Sequence, residues 1–191
     1  VSNITIQDVS ETGISVSNAL LELNSAGGDA TIRDFGSYGI YVTGGAAEAA
    51  VANVTIEQTG SRIRSGSCMR ARNGAMLEVT GSAVQRCGAG IDVRQGSYNR
   101  NNRNERPQRI TVTGSQITGN GIGVRVQPGR RSGSNRFERY PTQFEVTGNT
   151  IAGNVDYELA IYDGEEARST ELNVTGNWWG TRDGVAIAER I

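Results

Sequence analysis

The sequence predicts an all-β fold, a solenoid of about seven coils built from short parallel strands, in a single domain covering residues 1–191. The first observation behind this is a recurring phrase, an apolar–any–apolar triplet closed by Thr-Gly. Val79-Thr80-Gly81-Ser82, Val112-Thr113-Gly114-Ser115, Val146-Thr147-Gly148-Asn149 and Val174-Thr175-Gly176-Asn177 are near copies of it. The second is the period. Aligning positions 6, 32, 56, 79, 112, 146 and 174 gives steps of 26, 24, 23, 33, 34 and 28 residues, and internal repeats of roughly 20–50 residues mark stacked architectures. The third is alternation: inside each unit apolar residues recur at every second position, β-branched and bounded by Gly, which is the pattern of a strand. The chain lacks the regular Leu pattern or sustained helical spacing that leucine-rich and helical repeats need.

Taken in order, the first three coils carry Ile4/Ile6, Ala30/Ile32 and Val54/Ile56 at the two inward positions that Leu77/Val79, Ile110/Val112, Phe144/Val146 and Leu172/Val174 hold later. A second strand reads Gly-Ile-any-Val at 13–16 and 39–42. Residues 81–93 align on 114–126 without a gap, placing Val84 on Ile117, Cys87 on Asn120, Gly90 on Gly123, Ile91 on Val124 and Val93 on Val126. Each coil therefore holds two or three strands separated by tight turns. Because strand side chains alternate between faces, Ile14/Val16, Ile40/Val42, Ile91/Val93 and Val124/Val126 form an interior ladder, and Ser15, Tyr41, Asp92 and Arg125 face outward. Asn120 and Asn154 recur at one turn, where stacked Asn side chains satisfy backbone groups that have no ladder partner. Trp179 takes the inward position of Ile117 and Ile151, while its outward neighbour Trp178 is a candidate for stacking on a sugar ring. Residues 185–191 read as the start of a short capping helix. Val1 opens directly in a strand phrase, which reads either as a piece of a longer chain or as a processed secreted protein.

With 26 Gly and 36% hydrophobic residues the chain has many turns and a thin core, a composition a solenoid tolerates because each coil buries its ladder against its neighbours. It contains no apolar run of about 18 residues, so no membrane span is expected. There is no His and no Lys, which removes Ser-His, Cys-His and His-metal chemistry and makes all 19 basic residues Arg. Those Arg residues cluster. Insertion 96–109 carries Arg100, Arg103, Arg106 and Arg109 against Glu105, and insertion 127–141 carries Arg130, Arg131, Arg136 and Arg139 against Glu138. Eight Arg against two Glu make +6, leaving −7 for the rest of a chain of net charge −1. Both insertions follow equivalent strands, ending at Val93 and Val126, and so should leave the rod on one side. Outward Arg70, Arg72, Arg94 and Arg125 adjoin them, with Asp92 between Arg70 and Arg125 in one column. Guanidinium forks bind carboxylate and phosphate in bidentate fashion, so the expected partner is an anionic polysaccharide or an acidic protein surface. Aromatics are sparse there (Tyr98, Phe137, Tyr140), which disfavours nucleic acid. A solvated pair of polar loops with internal Asp–Arg pairs is the competing reading.

The repeats resemble the right-handed parallel β-helix family of pectin-lyase-like proteins, and the copies cover most of the chain. The segment Asn177-Trp178-Trp179-Gly180-Thr181-Arg182-Asp183-Gly184 is similar to the phrase that often closes such a helix, with Val185 where a proline usually follows. The resemblance implies a right-handed coil but not one function, because the family includes lyases, hydrolases, epimerases, adhesins and tailspikes. Its lyases abstract a proton beside a uronate carboxylate with an Arg or Lys base and use Ca²⁺ on clustered acids. In those terms Arg125 or Arg94 would be the base, Tyr98 or Tyr140 the acid, and Asp92 the well-placed carboxylate. A Ca²⁺ site needs several oxygen ligands, and no cofactor is expected outside that alternative. The family's hydrolases need two or three Asp on adjacent coils, a group this sequence does not show.

Cys68 and Cys87 lie in adjacent coils. Two cysteines in a chain read as secreted suggest a disulfide, yet the register sets Cys68 beside Gly90, three positions beyond Cys87, so paired and unpaired thiols both stay open. The function expected from the sequence is that of a secreted, cell-surface or periplasmic β-helix module, non-catalytic, recognising an anionic partner through its Arg-rich face. A polysaccharide lyase acting on uronate polymers and a structural segment stacking end to end through its open coils are the alternatives.

Overall fold

The computed structural model describes residues 4–27, 30–60, 63–94, 97–99, 108–127, 137–139, 142–162 and 170–190, with only the backbone at 97–99, 137–139, 142, 170 and 171. Three parallel sheets of six strands each dominate it, and successive strands of the chain visit the sheets in rotation. The first sheet holds Thr5–Val9, Ala30–Phe35, Val54–Glu57, Ala83–Gln85, Gln116–Thr118 and Thr150–Ala152. The second holds Thr12–Ser17, Tyr38–Thr43, Ser67–Arg72, Ala89–Arg94, Ile122–Gln127 and Tyr157–Ile161. The third holds Leu20–Asn24, Glu48–Ala52, Met76–Thr80, Gln108–Thr113, Thr142–Thr147 and Thr170–Asn173. This is the layout of a parallel β-solenoid with three strands per coil.

The inward ladders follow the period-2 alternation. Ile6, Ile32, Ile56, Val84, Ile117 and Ile151 stack in the first sheet, and Ile14, Ile40, Met69, Ile91, Val124 and Leu159 in the second. Leu21, Ala49, Leu77, Ile110, Phe144 and Leu172 stack in the third. The ladders meet in one continuous buried cluster, against which Trp179 packs from the last coil.

The register corrects the alignment of the early coils. Ile6, Ile32 and Ile56 belong to the first sheet, whereas Val79, Val112 and Val146 belong to the third, where their true upstream partners are Leu23 and Val51. The step of 23 from Ile56 to Val79 thus crosses from one sheet to another. Ile56 actually pairs with Val84, a step of 28. Sheet for sheet there are six strands, and beyond the sixth in the first sheet an isolated bridge joins Thr150 to Trp178.

Turn chemistry explains the Thr-Gly signature. Between the third and first sheets the chain passes through one left-handed residue per coil, Asn53, Gly81, Gly114, Gly148 and Gly176, with φ of 57°, 56°, 57°, 66° and 71°. Glycine adopts that region without a Cβ penalty and Asn tolerates it. Two polar ladders run inside the turns, the first where the chain passes from the first sheet to the second and the other where it passes from the third to the first. Asn120 Oδ1 accepts from Cys87 N at 3.0 Å, Asn154 Oδ1 accepts from Asn120 N at 3.0 Å, and Asn120 Nδ2 donates to Val84 O at 3.1 Å. The second, Ser82–Ser115–Asn149–Asn177, links successive coils through side chain-to-backbone bonds of 2.9–3.2 Å. Replacing Asn120 by alanine takes the acceptor from the buried Cys87 N–H and a donor from Val84 C=O. It should cost about 2 kcal/mol in a urea-unfolding measurement, since a buried donor left unpaired carries its full desolvation penalty.

The C-terminal segment forms the expected short helix, Gly184–Ala188, with Asp183 as its N-cap accepting from Val185 N. Beyond it Arg190 O accepts from Glu158 N and Leu159 N at 3.0 and 3.3 Å, and the Arg190 guanidinium pairs with buried Glu158 at 3.1 Å. The edge of the second sheet is covered there.

Candidate functional site

The second sheet places the expected basic column. Tyr41, Arg70, Asp92 and Arg125 stand opposite one another on successive strands, and Thr43, Arg72, Arg94 and Gln127 form the next outward column. Asp92 is on the outward face but fully buried, because two guanidiniums close over it. Arg70 donates from Nε to Asp92 Oδ2 at 2.7 Å and from Nη2 to the same oxygen. Arg125 donates from Nε to Oδ1 at 3.1 Å and from Nη2 to Oδ2 at 2.9 Å, a side-on fork, and Ser67 Oγ lies 3.4 Å from Oδ2. Burial pushes the Asp92 carboxyl up, but the hydrogen bonds and charges of Arg125 and Arg70 outweigh it and hold the carboxyl below its ordinary value.

Two tyrosines that the sequence reading did not single out as site residues complete the cluster. The Arg70 guanidinium lies 4.5 Å from the Tyr38 ring centroid and donates from Nη1 to the Tyr38 hydroxyl. The Tyr38 and Tyr41 rings stack with centroids 5.1 Å apart. The available signal was positional: both tyrosines lie on the strand next to the one carrying Arg70. An open groove of about 390 Å³ runs beside this cluster, lined by Ser37, Tyr38, Ser67, Arg70, Arg125 and turn glycines.

The chemistry of the groove is set by what remains unused. Arg125 commits its Nε edge to Asp92, so the end-on edge, with one N–H each from Nη1 and Nη2, has no acceptor among the described residues. Asp92 fixes that guanidinium in place. Arg72 and Arg94 stand directly opposite each other with no carboxylate partner among the described residues. Arg94 donates to Gln127 Oε1 at 3.2 and 2.6 Å, and Arg72 Nε is buried without a hydrogen bond.

The insertions are shorter than the sequence implied, since Gln108 and Arg109 are already strand and Gln127 ends one. Arg109 is thereby moved off the basic face. It lies on the third sheet, donates to Gln143 Oε1 at 3.2 and 3.0 Å, and lines two open grooves there of about 360 and 330 Å³. The two insertions do meet: Ser97–Asn99 pairs antiparallel with Phe137–Arg139, setting Ser97 opposite Arg139 and Tyr98 opposite Glu138. Arg100, Arg103, Arg106, Arg130, Arg131, Arg136 and Tyr140 lie outside the described residues. Trp178 is exposed on the last coil, away from the Arg70–Asp92–Arg125 column. Among the described residues no group of acidic or Cys side chains is placed to hold a metal ion, and no helix is long and apolar enough to cross a membrane.

Cys68 and Cys87 are bonded, with Cα atoms 5.6 Å apart. The three-position offset is real, since Ser67 pairs with Ala89 and Cys68 is level with Gly90. It is no obstacle, because a Cβ built on Gly90 would point to 3.0 Å from Asn120 Nδ2 on the next coil. Cys68 occupies that glycine column and Cys87 the Asn column, so the same vector carries one sulfur to the other.

The fold and the site together define a parallel β-solenoid presenting a guanidinium–carboxylate–guanidinium column beside a groove. No family model, curated protein or solved structure matches the chain.

Proposed function

We propose that this protein is a non-catalytic recognition module, a right-handed β-helix of the pectin-lyase-like kind. Trp178 to Gly180 would begin a seventh coil, and the second sheet would bind an anionic polysaccharide. One observation carries the reading: Arg125 presents to an open groove a preorganised guanidinium edge that has no acceptor among the described residues, and a uronate carboxylate is its natural bidentate partner. Arg72 and Arg94, a like-charged pair on neighbouring strands, add attraction for a second carboxylate along the same chain. The buried disulfide favours a place outside the reducing cytoplasm, at the cell surface, in the periplasm or free.

Titration of pectate, alginate and hyaluronate into the protein, with and without Ca²⁺, tests this. Binding should weaken steeply with added salt as the screening length shortens. Arg125→Ala and Arg125→Lys should each lose about tenfold in affinity, since lysine cannot reproduce the fork. Failure of all three polymers to bind sinks the reading. Unsaturated uronate product that disappears in Arg125→Ala would establish a lyase in its place.

A further inference from the structure

The third sheet carries a column that mirrors the basic one. Glu78, Thr111 and Glu145 stand opposite one another on successive strands, facing outward between inward Leu77/Val79, Ile110/Val112 and Phe144/Val146. Glu78 and Glu145 are exposed, and neither has a cationic partner among the described residues. On the second sheet the corresponding order is Arg70, Asp92, Arg125. The two columns run at the same level. The strand bearing Arg70 leads in the chain to that bearing Glu78, the strand of Asp92 to that of Thr111, and the strand of Arg125 to that of Glu145. Cation, anion, cation on one face thus lies level with anion, hydroxyl, anion on another.

Both columns belong to one solenoid, so their rungs share the same spacing of roughly 4.8 Å, and guanidiniums and carboxylates two rungs apart are commensurate in any two copies. The second sheet adds Arg72 and Arg94, and the third adds Glu22 to the Glu78 column. The cation beside that column, Arg109, turns its guanidinium to Gln143 Oε1. Asp92 needs no partner of opposite charge from outside, and Thr111 offers a hydroxyl at its level where another carboxylate would repel.

We infer that a second copy of this chain docks side by side, its third sheet against the second sheet of the first and without shift along the solenoid. Glu78 then meets Arg70, Thr111 faces the two guanidiniums that close over Asp92, and Glu145 meets Arg125. Each copy uses two different faces, so the contact is heterologous and propagates into a row or closes into a ring about an axis parallel to the solenoid. The interface shares the second sheet with the polysaccharide reading, but it also requires the third sheet, and the two can fail separately.

Sedimentation velocity on the full chain at low ionic strength should show an average mass that rises with concentration to at least twice that of one chain. It should fall to a monomer at about 1 M NaCl, where charges are screened within a few ångströms. The Glu78→Arg/Glu145→Arg variant, altered only at exposed positions, should be monomeric at low salt with an unchanged melting temperature and unchanged polyuronate affinity. Its second sheet is intact, so a fluorescent form of it should co-sediment with wild type and shorten wild-type assemblies while never associating with itself. Monomeric wild type at every concentration overturns the inference, as does association that ignores salt or persists in the double variant. Assembly without polyuronate binding would leave this inference standing and remove the other reading, and the reverse result would do the opposite.

Discussion

Asp92→Ala is expected to lower the free energy of unfolding by about 4 kcal/mol, because removing one partner from a buried ion cluster leaves uncompensated charge. The carboxylate is fully buried, and the side chains of Arg70 and Arg125 are only 14% and 22% exposed. Without it two guanidiniums face each other across one strand with little water between them. Asp92→Asn keeps the shape and one acceptor oxygen but not the charge, and should cost about half as much. Urea unfolding measures both, and a loss below about 1 kcal/mol in Asp92→Ala would mean that the column contributes nothing net to the fold. The pH dependence has a definite sign. The folded-state pKa is held below the unfolded one, so this stabilisation is fully present above the ordinary carboxylate range, near pH 4. It is lost as the pH falls through the depressed value. The melting temperatures of wild type and Asp92→Asn should therefore differ at neutral pH and converge in acid.

The column's position was legible in the sequence and its burial was not. Alternation assigns Asp92 to the outward face, and the register puts it there. Burial arises one level higher, from two long side chains that fold over a shorter one, and a pattern of faces carries no information about which way a guanidinium leans. The same limit explains why Tyr38 was passed over while Arg70 was not: a cation over a ring is a contact between neighbouring strands, and only the register reveals it.

The misaligned early coils have a different cause. Val54/Ile56 in the first sheet and Leu77/Val79 in the third present the same apolar–any–apolar triplet, because every inward strand does. What distinguishes them is the turn residue, and in the third coil Asn53 stands where Gly81, Gly114 and Gly148 stand later. Read as a left-handed turn position, Asn53 aligns Val51 with Val79 and restores a step of 28 in place of 23. Later coils were legible because their turns keep glycine, and the ladder of Asn120 and Asn154 was legible because it recurs in the gapless alignment. The Ser82–Ser115–Asn149–Asn177 ladder sits inside the same repeated phrase, but its change from Ser to Asn partway hid a single structural role served by two side chains.

The disulfide gives the second large effect. Cys68 and Cys87 are 19 residues apart in sequence, and opening a loop of that length releases about 3 kcal/mol of chain entropy to the unfolded state. Cys68→Ala/Cys87→Ala should show that loss in urea unfolding, and a loss under about 1 kcal/mol would refute the cross-link's role. The geometry also says how the loss is repaired. Neighbouring coils fill the same two columns with Gly90 and Asn120, and with Gly123 and Asn154, where the amide donates to a first-sheet carbonyl, Val84 O or Ile117 O. For Cys87 the equivalent carbonyl is that of Ile56, one coil earlier, from which Cys68 Sγ lies 3.3 Å away. Cys68→Gly/Cys87→Asn should therefore rebuild the amide ladder, bonding Ile56 O on one side and Asn120 on the other. It should recover about 1–2 kcal/mol relative to the double alanine variant, the worth of two buried hydrogen bonds. Equal stability of the two variants would show that the sulfur bridge and the amide ladder are not interchangeable solutions to one packing problem.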